Sequence, residues 1–333
     1  MPASVTVGDP MPRITLPLAS GNLFDSWAPV TWGLAMIYWL GAPPEALVLA
    51  QLADKLAACE TLLYLVTAAL PEALGGYPSW LLDRANELGR AFGTTGPLAI
   101  AVDAGGRVAG VLPAPTSAGV AALAARLYSA STPAMVQAKA PVLLLDRVVE
   151  PPLCRTLIEH WRHHDKVADV VGSAAGNVVN ADVKRRQDVQ LGDPKLFVEV
   201  RDRVVRRVMP AIAQAFHSRI RVIETPIIGC YDAASGGCFR RHRDNTSSRN
   251  AHRQFALSLN LNADDEYDGG ELRFPEFGRE LYRPPAGGAL VFSCSLLHEV
   301  MPVIRGRRFG VFTFLSTSAP SVSRTALPQG NRR

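Results

Sequence analysis

Cys238-Phe239-Arg240-Arg241-His242-Arg243-Asp244-Asn245, taken with His298-Glu299-Val300-Met301-Pro302-Val303 and Gly306-Arg307-Arg308-Phe309, is the stretch that decides how this chain reads. His242 and Asp244 stand at i and i+2. In an extended segment such residues point to one side, so both can reach the same metal ion. A third ligand must come from elsewhere, and His298 follows the β-rich run Ala289 to Cys294. Two histidines and one carboxylate make the facial triad of non-haem Fe(II), with three coordination positions left free. Those positions suit a cosubstrate that chelates through two atoms and an O2 molecule in the last. Zinc is the competing metal, but its sites recruit cysteine or a third histidine at tighter spacing.

Arg308 lies ten residues after His298, on an expected strand Arg308 to Leu315. A cosubstrate with two carboxylates needs a cation at its far end, and a guanidinium forks onto a carboxylate through two hydrogen bonds. Strand alternation puts Arg308, Gly310 and Phe312 on one face. Arg305 and Arg307 are rivals for the role, expected in the turn and exposed.

Working outward, short β-rich runs separated by glycine turns extend from Arg221 to Leu315, a pattern that predicts a barrel or two-sheet sandwich. The run from about Val222 to Leu315 resembles the iron- and 2-oxoglutarate-dependent dioxygenases of the prolyl-4-hydroxylase-like group. The matching elements are Tyr231, His242-Arg243-Asp244-Asn245, Phe255 to Leu261, Tyr267-Asp268-Gly269-Gly270-Glu271-Leu272, Pro284 to Gly288, and His298 through Phe309. The resemblance implies a double-stranded β-helix of the jelly-roll or cupin kind. It implies His242, Asp244 and His298 as Fe(II) ligands and Arg308 on the distal carboxylate of 2-oxoglutarate, with Tyr231 hydrogen-bonded to the same group. It further implies O2 as cosubstrate, ascorbate as a stimulant, and hydroxylation of an unactivated C–H with release of succinate. Related halogenases replace the carboxylate ligand by a small residue, so Asp244 favours hydroxylation, with desaturation or another oxidative outcome left open. Asn245, Arg253 and Asn260 read equally well as strand-end or surface hydrogen bonders and stay outside the site. His160, His163, His164, His217 and His252 read as surface or hydrogen-bonded histidines. Cys294 reads as core.

Upstream, Val142 to Leu145 is an expected strand and Leu153 to His164 a helix opened by Pro151-Pro152. Ser173 to Asp193 reads as an irregular polar loop, and Lys195 to Phe216 as one long amphipathic helix. The first half alternates strands and helices: strand Val30 to Leu40, helix Glu45 to Ala58, strand Thr61 to Ala68 and helix Tyr77 to Phe92. A hairpin over Leu98–Val102 and Val108–Leu112 and a helix from Ser117 to Ser129 follow. That order is thioredoxin-like. Val7-Gly8-Asp9-Pro10-Met11-Pro12 and Ala101-Val102-Asp103-Ala104-Gly105-Gly106-Arg107-Val108 resemble the opening and late hairpin of peroxiredoxin-type redoxins. Such a redoxin acts through a thiolate at the N-terminus of the first core helix, where the helix dipole lowers its pKa. Here that stretch is Gly41-Ala42-Pro43-Pro44, without cysteine, and Cys59 falls at the wrong end of the helix. The expected organisation is an α/β domain over residues 1–131 without redox activity and a linker at 132–140. An α+β oxygenase domain with flanking helices over 141–320 and a disordered tail at 321–333 complete it.

Composition narrows the rest. Hydrophobic residues at 48% and charged residues at 20% rule out wholesale disorder. The longest uncharged run, Ser26 to Pro44, is broken by prolines and too short in its apolar centre to span a bilayer. No basic stretch precedes an apolar one at the N-terminus, so a cytoplasmic protein is expected. Five cysteines without a C-x-x-C pair argue against a disulfide framework. The charge balance is −2 over residues 1–140 and +7 over 141–333. That surplus can steer an anionic substrate, but no dense, aromatic-interleaved basic run points to nucleic acid. Two rival classes stand beside the enzyme: a non-enzymatic scaffold with a retired oxygenase domain, and a thiol peroxidase. Neither the substrate (protein side chain, amino acid or natural product) nor the oligomeric state is written in the sequence.

Overall fold

A computed structural model describes residues 4–28, 34–71, 79–128, 139–168, 171–173, 176–178 and 183–318. The chain divides into two compact units, Met1–Met135 and Val136–Arg333. Most of the expected linker at 132–140, all of the expected tail at 321–333, and the starts of the expected elements at Val30 and Tyr77 lie outside the described residues.

The first unit is built on one five-stranded sheet. In spatial order its strands are Trp80–Leu82, Thr61–Thr67, Ala35–Leu40, Leu98–Val102 and Val108–Pro113. The first three run parallel, and the last two are antiparallel to their neighbours. Ala35–Leu40 is buried almost throughout because both faces are covered. Met36, Tyr38 and Leu40 pack with Ile14, Leu16 and Phe24 on one side. Ile37 and Trp39 pack on the other side against Leu49, Leu52 and Leu56 of the Ala46–Ala58 helix and Val120 and Leu123 of the Ser117–Leu127 helix. Thr116 caps that last helix, its side chain accepting from the Gly119 N–H.

One expectation here is corrected. Within Tyr77 to Phe92 the helix is confined to Glu87–Ala91, and Trp80–Leu82 is a strand alongside Thr61–Thr67. The physical switch is Asp83, whose carboxylate accepts from the Glu87 and Leu88 N–H groups at 2.7 and 3.0 Å and so starts the helix late.

The second unit is a jelly roll of two antiparallel sheets. The larger runs, in spatial order, Val142–Leu145, Ala289–Ser293, Phe255–Asn260, Val303–Ser316, Ile227–Asp232, Gln187–Gln190 and Val167–Ala168. The smaller runs Lys184–Arg185, Cys238–His242, His298–Val300, Leu272–Arg273 and Leu281–Tyr282. Side-chain alternation divides the larger sheet between two cores. Leu257, Leu259, Val311 and Leu315 face the flanking helices through Leu157, Trp161, Val204 and Val208. Tyr231, Ala256, Phe292 and Phe312 face the smaller sheet and meet Leu272 and Val300. The site lies in this inner layer.

Two further expectations are corrected in this unit. The stretch Ser173 to Asp193 is not a plain loop. Lys184–Arg185 pairs with the Cys238–His242 strand, and Gln187–Gln190 pairs with Ile227–Asp232 in the larger sheet. Its polar residues hid the strand, because Asp188 is a buried carboxylate held by an arginine rather than a solvated one. The helix Lys195 to Phe216 is interrupted: Pro194–Arg203 and Met209–Phe216 flank a π turn at Val204–Val208. Pro210 has no N–H and crowds the carbonyl one turn back, so the preceding turn widens and Met209 N–H reaches Val204 O. No helix among the described residues is long and apolar enough to cross a membrane.

Candidate metal centre

His242 ends the Cys238–His242 strand and His298 opens the His298–Val300 strand. The two are direct cross-strand partners, with a register shift between Phe239 and His242. Asp244 follows in the loop, tied by its N–H to the Cys294 carbonyl at 3.0 Å. One ligand atom from each of His242, Asp244 and His298 lies within 4.8 Å of the others. The Asp244 carboxylate spans both rings, with Oδ1 3.4 Å from His242 Nε2 and Oδ2 3.5 Å from His298 Nε2. Both Nδ1 atoms face main-chain carbonyls, His242 to Arg240 at 2.7 Å and His298 to Leu296 at 3.0 Å. A carbonyl only accepts, so each Nδ1 carries the proton and each Nε2 presents its lone pair to the centre.

The walls are aromatic. Phe239 stacks on His242 at 3.5 Å between ring centroids, and Phe292 meets His298 edge-on at 4.6 Å. Burial drives His298 down to about 4 despite the attraction of Asp244, which keeps the ring neutral as a ligand must be. Burial also pushes the Asp244 carboxyl up, but its interactions with His242, His298 and Arg253 outweigh it and hold it below the usual range.

Arg308 is 1% exposed and stands opposite Tyr231 across the sheet. Its Nη1 donates to the Gly270 carbonyl at 2.9 Å and its Nη2 to Ser258 Oγ at 3.1 Å. Among the described residues no carboxylate pairs with it. A buried guanidinium without a counter-ion is costly, and it fits an incoming carboxylate. The rivals are elsewhere: Arg305 pairs with Asp268 and Arg307 with Asp232, each at 2.6 Å, with both arginine side chains exposed. Tyr231 is fully buried, and its hydroxyl accepts from Arg186 Nη1 at 3.4 Å. The cavity at the triad has a volume of about 600 Å³ and is lined by Arg186, Tyr231, His242, Asp244, Ser258 and His298 among others; Arg308 does not line it, but its partner Ser258 does.

The remaining sequence candidates are not part of the ligand set, although Arg253 lines the same cavity. Asn245 bonds Ser295 Oγ, Arg253 forks onto Glu224, and Asn260 is a buried strand-end brace for Asn262, Pro284 and Tyr267. His160 and His164 stack on each other at the end of the Pro151–His163 helix, and His252 pairs with Glu224. Cys294 is a buried thiol whose pKa burial pushes up. Sequence reasoning missed Arg186, whose Nε and Nη2 fork onto Asp188 at 2.6 and 2.7 Å while its guanidinium lies 4.2 Å from the Phe312 ring. Its only signal was the i, i+2 spacing of Arg186 and Asp188 inside the supposed loop. Ser258 was missed as well, and nothing local marks it.

A profile described as the 2OG-Fe(II) oxygenase superfamily matches residues 228–316, a span that holds the triad, Tyr231 and Arg308. A PKHD-type hydroxylase of Paraburkholderia phymatum is 32% identical over 158 residues, covering 44% of this chain and 67% of that protein. The chain belongs to the PKHD-type hydroxylase family of 2OG-Fe(II) oxygenases. A PKHD-type hydroxylase of a Synechococcus strain is 31% identical over 105 residues, 30% of this chain and 46% of its own, so the chain spans about half of that relative's length. A solved Pseudomonas putida prolyl-4-hydroxylase aligns over 54% of this chain and 95% of its own, at 19% identity and a TM-score of 0.41. Membership of the 2OG-Fe(II) oxygenases implies Fe(II), 2-oxoglutarate and O2. The two imidazoles and one carboxylate of this PKHD-type chain form the donor set such an ion takes.

Proposed function

We propose that this protein is an Fe(II)- and 2-oxoglutarate-dependent hydroxylase acting on an unactivated C–H of a protein side chain, an amino acid or a natural product. The observation that carries the reading is the convergence of His242, Asp244 and His298 on one point in the aromatic-walled cavity. These three hold the ion through Nε2, a carboxylate oxygen and Nε2. Bound Fe(II) supplies O2 activation coupled to decarboxylation of 2-oxoglutarate to succinate. Arg308 holds the distal carboxylate, with Ser258 and the Gly270 carbonyl fixing its guanidinium. Tyr231 closes that end of the site, held in turn by Arg186. The aromatic rings exclude bulk water from the reacting centre. Asp244 fills the position that a halide would need, which supports hydroxylation.

The first unit reads as a thioredoxin-like scaffold that has lost peroxidase chemistry. Its sheet order and the cysteine-free Gly41–Pro44 segment support this. The five cysteines are free thiols, which suits a reducing compartment such as the cytoplasm. The test is succinate formation by the purified full chain with Fe(II), 2-oxoglutarate and O2, across a panel of peptides and small metabolites. Substrate-stimulated succinate dependent on Fe(II) is expected. A chain that binds Fe(II) yet never turns over 2-oxoglutarate, even uncoupled, would leave the non-enzymatic scaffold as the better reading. Thiol-dependent peroxide consumption would favour the peroxidase.

A further inference from the structure

Arg243 stands between His242 and Asp244, and its guanidinium forks onto Glu276. Nη2 donates to Oε1 at 2.6 Å and Nη1 to Oε2 at 3.1 Å. Nη1 donates also to the Ser295 carbonyl. The same Glu276 Oε2 accepts the N–H of Leu297, the residue before His298, at 3.1 Å. One carboxylate, in the turn after the Leu272–Arg273 strand, therefore joins the residue flanked by two ligand candidates to the residue preceding the third. Two further bonds tie the same segments: Asp244 N–H to the Cys294 carbonyl at 3.0 Å, and Asn245 Nδ2 to Ser295 Oγ at 2.7 Å.

Three lone-pair donors aimed at one point share no common acceptor until an ion arrives. Something other than the ligands must keep them converged, and hydrogen bonds just outside the ligand set do this in metal sites. The strand pairing at His242 and His298 supplies part of it, but the register is irregular there. The turn from Ser295 to Leu297 must be held as well, because it sets the direction of the His298 ring through the Leu296 carbonyl. We propose that Glu276 is a positioning residue for the metal centre, clamping the turn that carries His298 onto the His242-Arg243-Asp244 segment. This rests on the reading of the triad as a metal site. The competing account is an ordinary half-exposed ion pair of no consequence for the centre.

Co(II) titration of the full-length protein separates them, followed by d–d absorption and equilibrium dialysis, with thermal melting of the metal-free protein alongside. Glu276→Ala is expected to weaken Co(II) binding about 10-fold and to alter the absorption band, while the metal-free melting temperature stays unchanged. Glu276→Gln keeps an acceptor for the Leu297 N–H and is expected to fall in between. Arg243→Ala and Glu276→Ala together are expected to cost less than the two added. Unchanged affinity and spectrum in Glu276→Ala overturn the proposal. So does a loss of affinity matched by an equal loss of metal-free stability. His242→Ala is the control: if it binds Co(II) as tightly as the natural chain, the metal reading itself fails and takes this one with it.

Discussion

Arg308 is the largest fully buried side chain among the described residues, and its guanidinium donates hydrogen bonds to a carbonyl and a hydroxyl, not to a carboxylate. A buried guanidinium with no carboxylate beside it among the described residues supports the proposed role of anchoring an incoming anion. Removing it should therefore raise the apparent KM for 2-oxoglutarate far more than it changes metal affinity. Loss of one partner from a buried pair costs about 3–5 kcal/mol, roughly two to four orders of magnitude in binding. Arg308→Lys should recover part of the loss, keeping the charge without the fork. Arg305→Ala and Arg307→Ala, at exposed ion pairs, should be mild. Steady-state titration of 2-oxoglutarate across the four variants checks this, and a large effect at Arg305 or Arg307 alone would reverse the assignment. At the same scale, His242→Ala, Asp244→Ala and His298→Ala should each abolish Fe(II) binding while circular dichroism stays native. Full turnover by any one of them would remove that residue from the triad.

Among the elements, the turn Gly269-Gly270 shows how the strands aim the site. Both glycines have positive φ, +82° and +72°. A Cβ at Gly270 would lie 2.9 Å from Arg308 Cδ and 3.0 Å from Val303 Cγ2. Gly270→Ala should therefore strain the turn by about 1–3 kcal/mol and push the Arg308 side chain off Ser258. We expect a lower melting temperature together with a raised KM for 2-oxoglutarate. A variant that loses stability with KM unchanged would show that the turn supports the fold but not the aim of Arg308. The Gln187–Gln190 strand carries the opposite lesson. Composition hid it, since three of its four residues are polar, yet pairing with Ile227–Asp232 buries Asp188 and sets Arg186 against Tyr231 and Phe312.

At the scale of the whole molecule, each unit has its own core, and the ligand candidates lie in the second alone. Cys59 sits at the C-terminal end of the Ala46–Ala58 helix, not in the Gly41–Pro44 segment before it. Cys59→Ser should leave 2-oxoglutarate turnover unchanged, and the full chain should show no thiol-coupled peroxide reduction. A peroxidase assay of both proteins checks it, and peroxide consumption lost in the variant would reopen the redox reading.

By itself the sequence determined the parts of the site that obey local rules. His242 and Asp244 share a face because a strand alternates, and Arg308 shares one with Phe312 for the same reason. The helices Ala46–Ala58, Pro151–His163 and Ser117–Leu127 follow from periodicity, prolines and caps. Only the tertiary structure decided what lies opposite what. The Ser258 hydroxyl on Arg308, Arg186 on Tyr231, and Glu276 between Arg243 and Leu297 all join segments far apart in the chain. The late helix after Asp83 and the π turn before Pro210 were likewise unreadable as boundaries. The reason is physical: alternation and capping act between near neighbours along the chain. Register across a sheet is fixed by which distant strands bury their apolar faces together.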